Sequence, residues 1–389
     1  MAGMGSRELV RRLVGFDTTS RESNLALIDF VRDYLDQLGV ACELSHDETG
    51  TKANLFATIG DDRQGGICLS GHTDVVPVDD QNWSSDPFAV AERQSKLFGR
   101  GVADMKSFLA VMLAKAPAFV AKRSGPPVHL AFTFDEEVGC LGVRHLIAQL
   151  ERREVKPLAC IIGEPTSMQP ITGHKGKRSI RCEVHGHECH SALAHEGANA
   201  VEAAAELIAY MKGMARRFRN EGPFDPAYVP PYTTVHTGRV IGGTALNIVP
   251  KHAEFLFEIR NLPGHDSDPL MQEIFEAARR LLPEMKAVTD EAAIDFHEIS
   301  AMAALATPED AGIVRLVQHL TGANGTGTVS YGTEGGAFQT AGIPTVICGP
   351  GNIVQAHKPD EWIELDQIVQ CEAFMDRLVD RMDQDRPLF

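Results

Sequence analysis

Apolar positions fall into two rhythms along the first half of the chain. Between residues 25 and 38 they recur at Leu27, Ile28, Val31, Leu35 and Leu38, the spacing of one helical face, and Gly39 ends the run. Short apolar runs predict strands at Ala53–Ile59, 66–70, 129–134 and 159–162, and residues 105–120 read as a buried helix. Strand and helix in turn are the signature of an α/β domain built on a mostly parallel sheet.

The rhythm changes near residue 178. Residues 179–184 alternate apolar (Ile180, Cys182, Val184) with polar, as a half-exposed strand does. A helix is expected at 199–218, then a Pro-rich stretch at 223–231 and strands at 233–240 and 253–259. A helix at 268–282 and a strand near 294–298 complete the order β-α-β-β-α-β of a ferredoxin-like split unit. The expected architecture is a discontinuous catalytic domain, 1–177 and 293–389, interrupted by an inserted α+β domain at 178–292. A length of 389 residues, more than one core usually supports, agrees with two domains.

Charge and cysteine usage narrow the function. With 37 basic and 53 acidic residues the net charge is −16, which argues against a nucleic-acid or anionic-membrane partner. Eight cysteines without a CxxC pair read as reduced thiols in a cytoplasmic protein. The first residues lack the apolar stretch of a signal peptide, and no run reaches the ~20 apolar residues of a membrane span.

The candidate chemistry sits just after the strand-like runs. His72 and Asp74 follow Ile67-Cys68-Leu69, Glu136 and Glu137 follow 128–134, and Glu164 follows Cys160-Ile161-Ile162. His357 follows 345–348 and a Gly-Pro-Gly turn. Open α/β sheets collect ligands outside the carboxyl ends of their strands, so these residues can converge. Two histidines and several carboxylates meeting there suit a divalent-metal hydrolase. Asp74 is placed to accept the second N–H of a metal-bound His72 imidazole. Asp104, just before a helix whose N–H groups can steady a carboxylate, can bridge two ions. Two divalent ions balance Asp104, Glu137, Glu164 and one hydroxide, which leaves Glu136 free to shuttle a proton.

Four segments carry a resemblance: SGHTDVVP (70–77), GRGVADMKS (99–107), FDEEVG (134–139) and GEPT (163–166). They resemble the metal motifs of the acetylornithine deacetylase / succinyl-diaminopimelate desuccinylase family, co-catalytic zinc amidohydrolases related to aminoacylases and glutamate carboxypeptidases. The resemblance spans nearly the whole chain and implies a zinc-exopeptidase-like fold. It implies His72, Asp104 and Glu164 on one zinc, and Asp104, Glu137 and His357 on the other, with cobalt or manganese also suited. It further implies Glu136 as general base, Asp74 as orienter of His72, and a homodimer formed through the inserted domain.

The same resemblance marks three residues of the inserted domain. His190, in GHECHSA (186–192), matches a histidine that stabilises the tetrahedral oxyanion, often across the dimer; Ala192 stands where relatives often carry a second Ser. Arg260, in EIRNLPG (258–264), resembles the arginine that holds the substrate carboxylate. Asn247, at the end of GGTALN (242–247), resembles a polar partner for the substrate or oxyanion. Segments 173–176, 331–336 and 348–361 most resemble the acetylornithine deacetylase branch, and Glu334 within them could meet a substrate ammonium. The expected substrate is N2-acetyl-L-ornithine, cleaved to ornithine and acetate in arginine biosynthesis. The alternatives are succinyl-diaminopimelate, another N-acyl amino acid, or a non-catalytic metal-binding scaffold.

Overall fold

A computed structural model describes residues 3–122, 124–384 and 388–389. The chain divides into two compact units. The larger comprises Met1–Gly173, Leu305–Thr328 and Thr333–Phe389; the smaller comprises His174–Ala304 and Val329–Gly332.

The larger unit is organised by a mixed sheet. Its strands run in the order Cys42–His46, Ala53–Ile59, Val128–Thr133, Ile67–His72, Ala159–Pro165, Thr345–Gly349, Ile171–His174, Leu305–Ala306. The four central strands, from Val128–Thr133 to Thr345–Gly349, are parallel to one another. Every residue of these four is buried, as expected of parallel strands covered on both faces, and this explains their unbroken apolar runs. The helix Lys106–Ala121 packs against the helices Ser6–Val14 and Leu365–Met382. Buried Leu9, Leu13, Phe108, Leu109, Met112 and Phe374 from these helices join Leu69, Leu130 and Ile161 of the sheet in one core.

Two strands run further than their apolar residues suggest. Ile67–His72 and Ala159–Pro165 carry His72 and Glu164 inside the ladder, because parallel pairing continues to His72 opposite Thr133 and to Pro165 opposite Gly349. At that end the strands come unusually close: a Cβ on Gly349 would lie 2.0 Å from the Gly163 carbonyl oxygen. A small three-stranded sheet, Trp362–Glu364 with Lys96–Phe98 and Ala91–Arg93, escaped the sequence reading because each strand is too short to show a period.

The smaller unit is a four-stranded antiparallel sheet in the order Thr234–Gly242, His252–Arg260, Lys177–His185, Ala293–Met302. Two helices, Ala200–Glu221 and Ser267–Lys286, share its core. Leu207, Met211, Phe218 and Ile274 cluster with Ile180, Cys182, Phe255 and Phe257 from one sheet face. The Asn199 side chain starts the first helix by accepting from the amides of Val201 and Glu202. The split falls at 173/174 and 304/305, where the sequence pattern suggests 177/178 and 292/293. The strand Ala293–Met302 pairs along its length with Lys177–His185, which puts it in the smaller unit. No helix among the described residues is long and apolar enough to cross a membrane.

Candidate active site

His72 ends a central strand, and the turn after it fixes the imidazole. Its Nδ1 lies 2.9 Å from the Asp74 backbone carbonyl oxygen and 3.5 Å from the Asp74 carboxylate. A carbonyl oxygen only accepts, so Nδ1 carries the hydrogen and Nε2 points away, 3.0 Å from Asp104 Oδ1 and 3.7 Å from Glu164 Oε1. The expected orienter is thus the main chain of Asp74 more than its carboxylate. That carboxylate is committed elsewhere: it accepts from Ser20 Oγ at 2.7 Å and from the amides of Glu136 and Glu137 at 3.1 and 3.2 Å. Asp74 therefore positions both ends of the group, the imidazole through its carbonyl and the glutamate pair through its side chain.

Asp104 stands between two histidines. Its Oδ1 faces His72 while Oδ2 lies 3.2 Å from His357 Nε2, which is also 3.1 Å from each oxygen of Glu137. His72, Glu136 and Glu164 offer donor atoms within 4.8 Å of one another, and so do His72, Asp104 and Glu137. Donor atoms on a tetrahedral ion with bonds of about 2.0–2.1 Å stand about 3.3 Å apart. The closest pairs bracket that figure, and the donor set is the nitrogen and carboxylate set that divalent cations take. The residues present fit divalent metal ions. His72, Asp74, Asp104, Glu136, Glu137, Glu164 and His357 meet in this one cluster.

The electrostatics follow from burial and crowding. Burial pushes the carboxyls of Glu136 and Glu164 well above the usual range, and neighbouring carboxylates add to it. Burial likewise raises Glu137 to about 7. Hydrogen bonds to Asp104 and Glu137 raise His357 to about 10. For His72 burial opposes charge, yet contacts with Asp104 and Asp74 carry it well above its ordinary value. Burial alone would also raise Asp104, but the two imidazoles hold it down. The cluster is one in which carboxylates hold positive charge on the two imidazoles, and crowding holds protons on the carboxyls.

The loop carrying Asp104 is held by residues the sequence reading did not single out. Glu361 accepts from Arg100 Nη1 at 2.7 Å and from the amides of Gly101, Ala103 and Asp104 at 3.1, 2.8 and 3.1 Å. Helix N–H groups were expected to steady the Asp104 carboxylate; here its main chain is what is anchored. Cys140 Sγ donates to Glu136 Oε1 at 3.4 Å. Glu334 is buried, with Oε2 accepting from Thr133 Oγ1 at 2.9 Å, and burial pushes it up to about 7. The only hint in the sequence was position: Arg100 precedes Asp104 by four residues, and Glu361 follows His357 by four.

Three candidates belong to the smaller unit and are not among the donors of that cluster. His190 and Asn247 are neighbours: the Asn247 carbonyl accepts from the Ser191 amide at 3.0 Å, and His190 bridges to Ile248. His190 Nδ1 accepts from the Ala192 amide at 3.1 Å, so the exposed ring carries its hydrogen on Nε2. Arg260 is engaged with Glu258, Nε to Oε1 at 2.8 Å.

Comparison with known proteins decides the family. A model of peptidase family M20/M25/M40 matches residues 68–381. The chain belongs to that family. It is a metal-dependent hydrolase of amide bonds. It is 35% identical over 383 residues to an acetylornithine deacetylase of Proteus mirabilis, covering 96% of this chain and 95% of the relative. A Klebsiella pneumoniae protein of the same name is 35% identical over 347 residues, with 88% and 87% covered. Among solved structures, an M20 family metallo-carboxypeptidase from Sulfolobus solfataricus superposes with a TM-score of 0.75 at 17% identity, over 97% of this chain and 99% of that one. A tripeptidase from Staphylococcus aureus gives 0.72 at 19% identity, over 97% and 98%. These structures share the fold.

Proposed function

We propose that the chain hydrolyses N2-acetyl-L-ornithine to L-ornithine and acetate, using two zinc ions held by the sheet-end cluster. The observation that carries the substrate is the near full-length likeness to relatives named acetylornithine deacetylase. His72, Asp104 and Glu164 would hold one ion, and Asp104, Glu137 and His357 the other. Imidazole and carboxylate donors suit zinc, and cobalt or manganese accept the same set. When bound, such ions polarise the amide carbonyl and lower the pKa of an attacking water toward about 7.

The protein's own groups move the protons. Glu136 takes the proton of the attacking water and returns it to the leaving nitrogen. His190 donates its Nε2–H to the oxyanion, in this reading, and Asn247 assists. Arg260 exchanges Glu258 for the substrate carboxylate, bound by two parallel N–H donors. The larger unit then does the chemistry, and the smaller serves as the dimer contact. Support for a homodimer comes from the outer strand Thr234–Gly242, which has an open edge and exposed Val240 and Ile241, with exposed Leu246 beyond it. A cytoplasmic location is part of the proposal, and eight free thiols support it.

The test is acetate release by the purified, metal-loaded chain from acetylornithine, beside succinyl-diaminopimelate and formyl or other N-acyl amino acids. Turnover confined to another acyl group would overturn the substrate, and metal uptake without any turnover would indicate a scaffold. Glu136→Gln is expected to cost about 10²–10⁴-fold in kcat while both ions still bind. Full activity would remove Glu136 from the base's role.

A further inference from the structure

The clearest feature outside the ligand set is the ion pair of Arg100 with Glu361, 261 positions apart in sequence and each 1% exposed. Burying two charges is costly unless their hydrogen-bonding capacity is filled. Glu361 fills its own by taking four donors, three of them amides of the segment 101–104. Arg100 Nη2 donates to Gln81 Oε1 at 2.7 Å, its Nε is left without a partner among the described residues, and its guanidinium lies 5.0 Å from the Trp83 ring centroid. Gln81 in turn donates to the His357 carbonyl at 3.3 Å, and Arg100 Nη1 reaches the Lys358 carbonyl at 3.4 Å. The pair therefore ties the Asp104 loop to the His357 loop through hydrogen bonds alone.

We infer that Arg100, Glu361 and Gln81 form a positioning strut that sets the separation of Asp104 from His357, and with it the affinity of the second metal position. The inference rests on the two-ion reading above. Of the three donors on the His357 side, the strut places two, Asp104 and His357. On the His72 side it places only Asp104, since His72 is fixed by the Asp74 carbonyl and Glu164 lies within a sheet strand. Disturbing the strut thus acts unequally on the two positions. A merely structural pair would lower the stability of the whole unit without that inequality.

The experiment is calorimetric titration of the metal-free full chain with Zn²⁺, with melting temperature followed alongside. The unaltered chain is expected to bind two ions. Glu361→Gln should weaken the second by about 10–100-fold while the first changes by less than about threefold. Gln81→Ala, at a partly exposed position, should weaken the second ion in the same sense and leave the melting temperature in place. If Glu361→Gln fails to fold, Gln81→Ala decides alone. Failure of the unaltered chain to bind two ions would overturn the two-ion reading. Two ions in the unaltered chain, with both variants matching it or losing both affinities equally, would overturn the strut.

Discussion

The two histidines of the cluster are held in opposite ways. The His72 side chain is 1% exposed, ends a central strand and has its ring fixed by a main-chain carbonyl two residues away. The His357 side chain is 49% exposed and lies in a loop at φ +62°, and its own carbonyl is held only at the length of a glutamine side chain. Sheet geometry fixes one half of the site, while side-chain hydrogen bonds between loops fix the other. A donor that needs no ordering on binding gives up less entropy, so the His72 half is expected to bind its ion more tightly.

The comparison can be broken most directly by removing each histidine in turn. His72→Ala is expected to abolish tight binding of the first ion and reduce hydrolysis to background. His357→Ala should leave one ion bound, with the loss confined to the second. Both losses should exceed the roughly 10–100-fold that outer partners of a metal site usually contribute. Metal analysis after dialysis checks this, and retention of two ions by His357→Ala would erase the distinction. Limited chelation of the unaltered chain should likewise remove one ion before the other.

A smaller effect is expected at His190, which belongs to neither half. His190→Ala should lose about 10²–10³-fold in kcat, the amount one oxyanion donor contributes, with metal content unchanged. A shift in KM alone would assign it to substrate binding instead.

The smallest effect separates acid damage to the fold from acid loss of metal. His174 is fully buried, and burial pushes its pKa down to about 4 from 6.5. The unfolded chain binds the proton first, so this contribution is complete above pH 6.5, declines as pH falls, and is gone below about 4. The full loss amounts to about 3 kcal/mol. Melting temperature against pH for His174→Gln should be flatter over that window than for the unaltered chain. Identical profiles would exclude His174 as a source.

Most of the fold was legible because its determinants are local. The helical face at 27, 28, 31 and 35, and the unbroken apolar runs of the four parallel strands, each declare themselves within a dozen residues. Four of the candidate ligands, His72, Glu137, Glu164 and His357, were legible for a related reason: each stands at or beyond the end of a buried strand, whereas Asp104 was marked by its place just ahead of a helix. What escaped was non-local or subtle. Arg100 and Glu361 look like two ordinary surface charges until the fold sets them 2.7 Å apart. The division of labour within Asp74, carbonyl to His72 and carboxylate to Glu136 and Glu137, depends on a turn no periodicity describes. His190 and Arg260 were marked by resemblance, and nothing in their local pattern reveals that one caps a short helix while the other is bound to Glu258.

Asp104 presents one oxygen to each histidine, and this limits how the centre can be re-engineered. On the proposed assignment this carboxylate is common to both ion positions and cannot be tuned for one without retuning the other. Redesign toward a one-ion enzyme would then proceed through donors that only one position uses, His357 and Glu137 on one side or His72 and Glu164 on the other. Lengthening Asp104 to glutamate would move both oxygens together and disturb the pair as a unit.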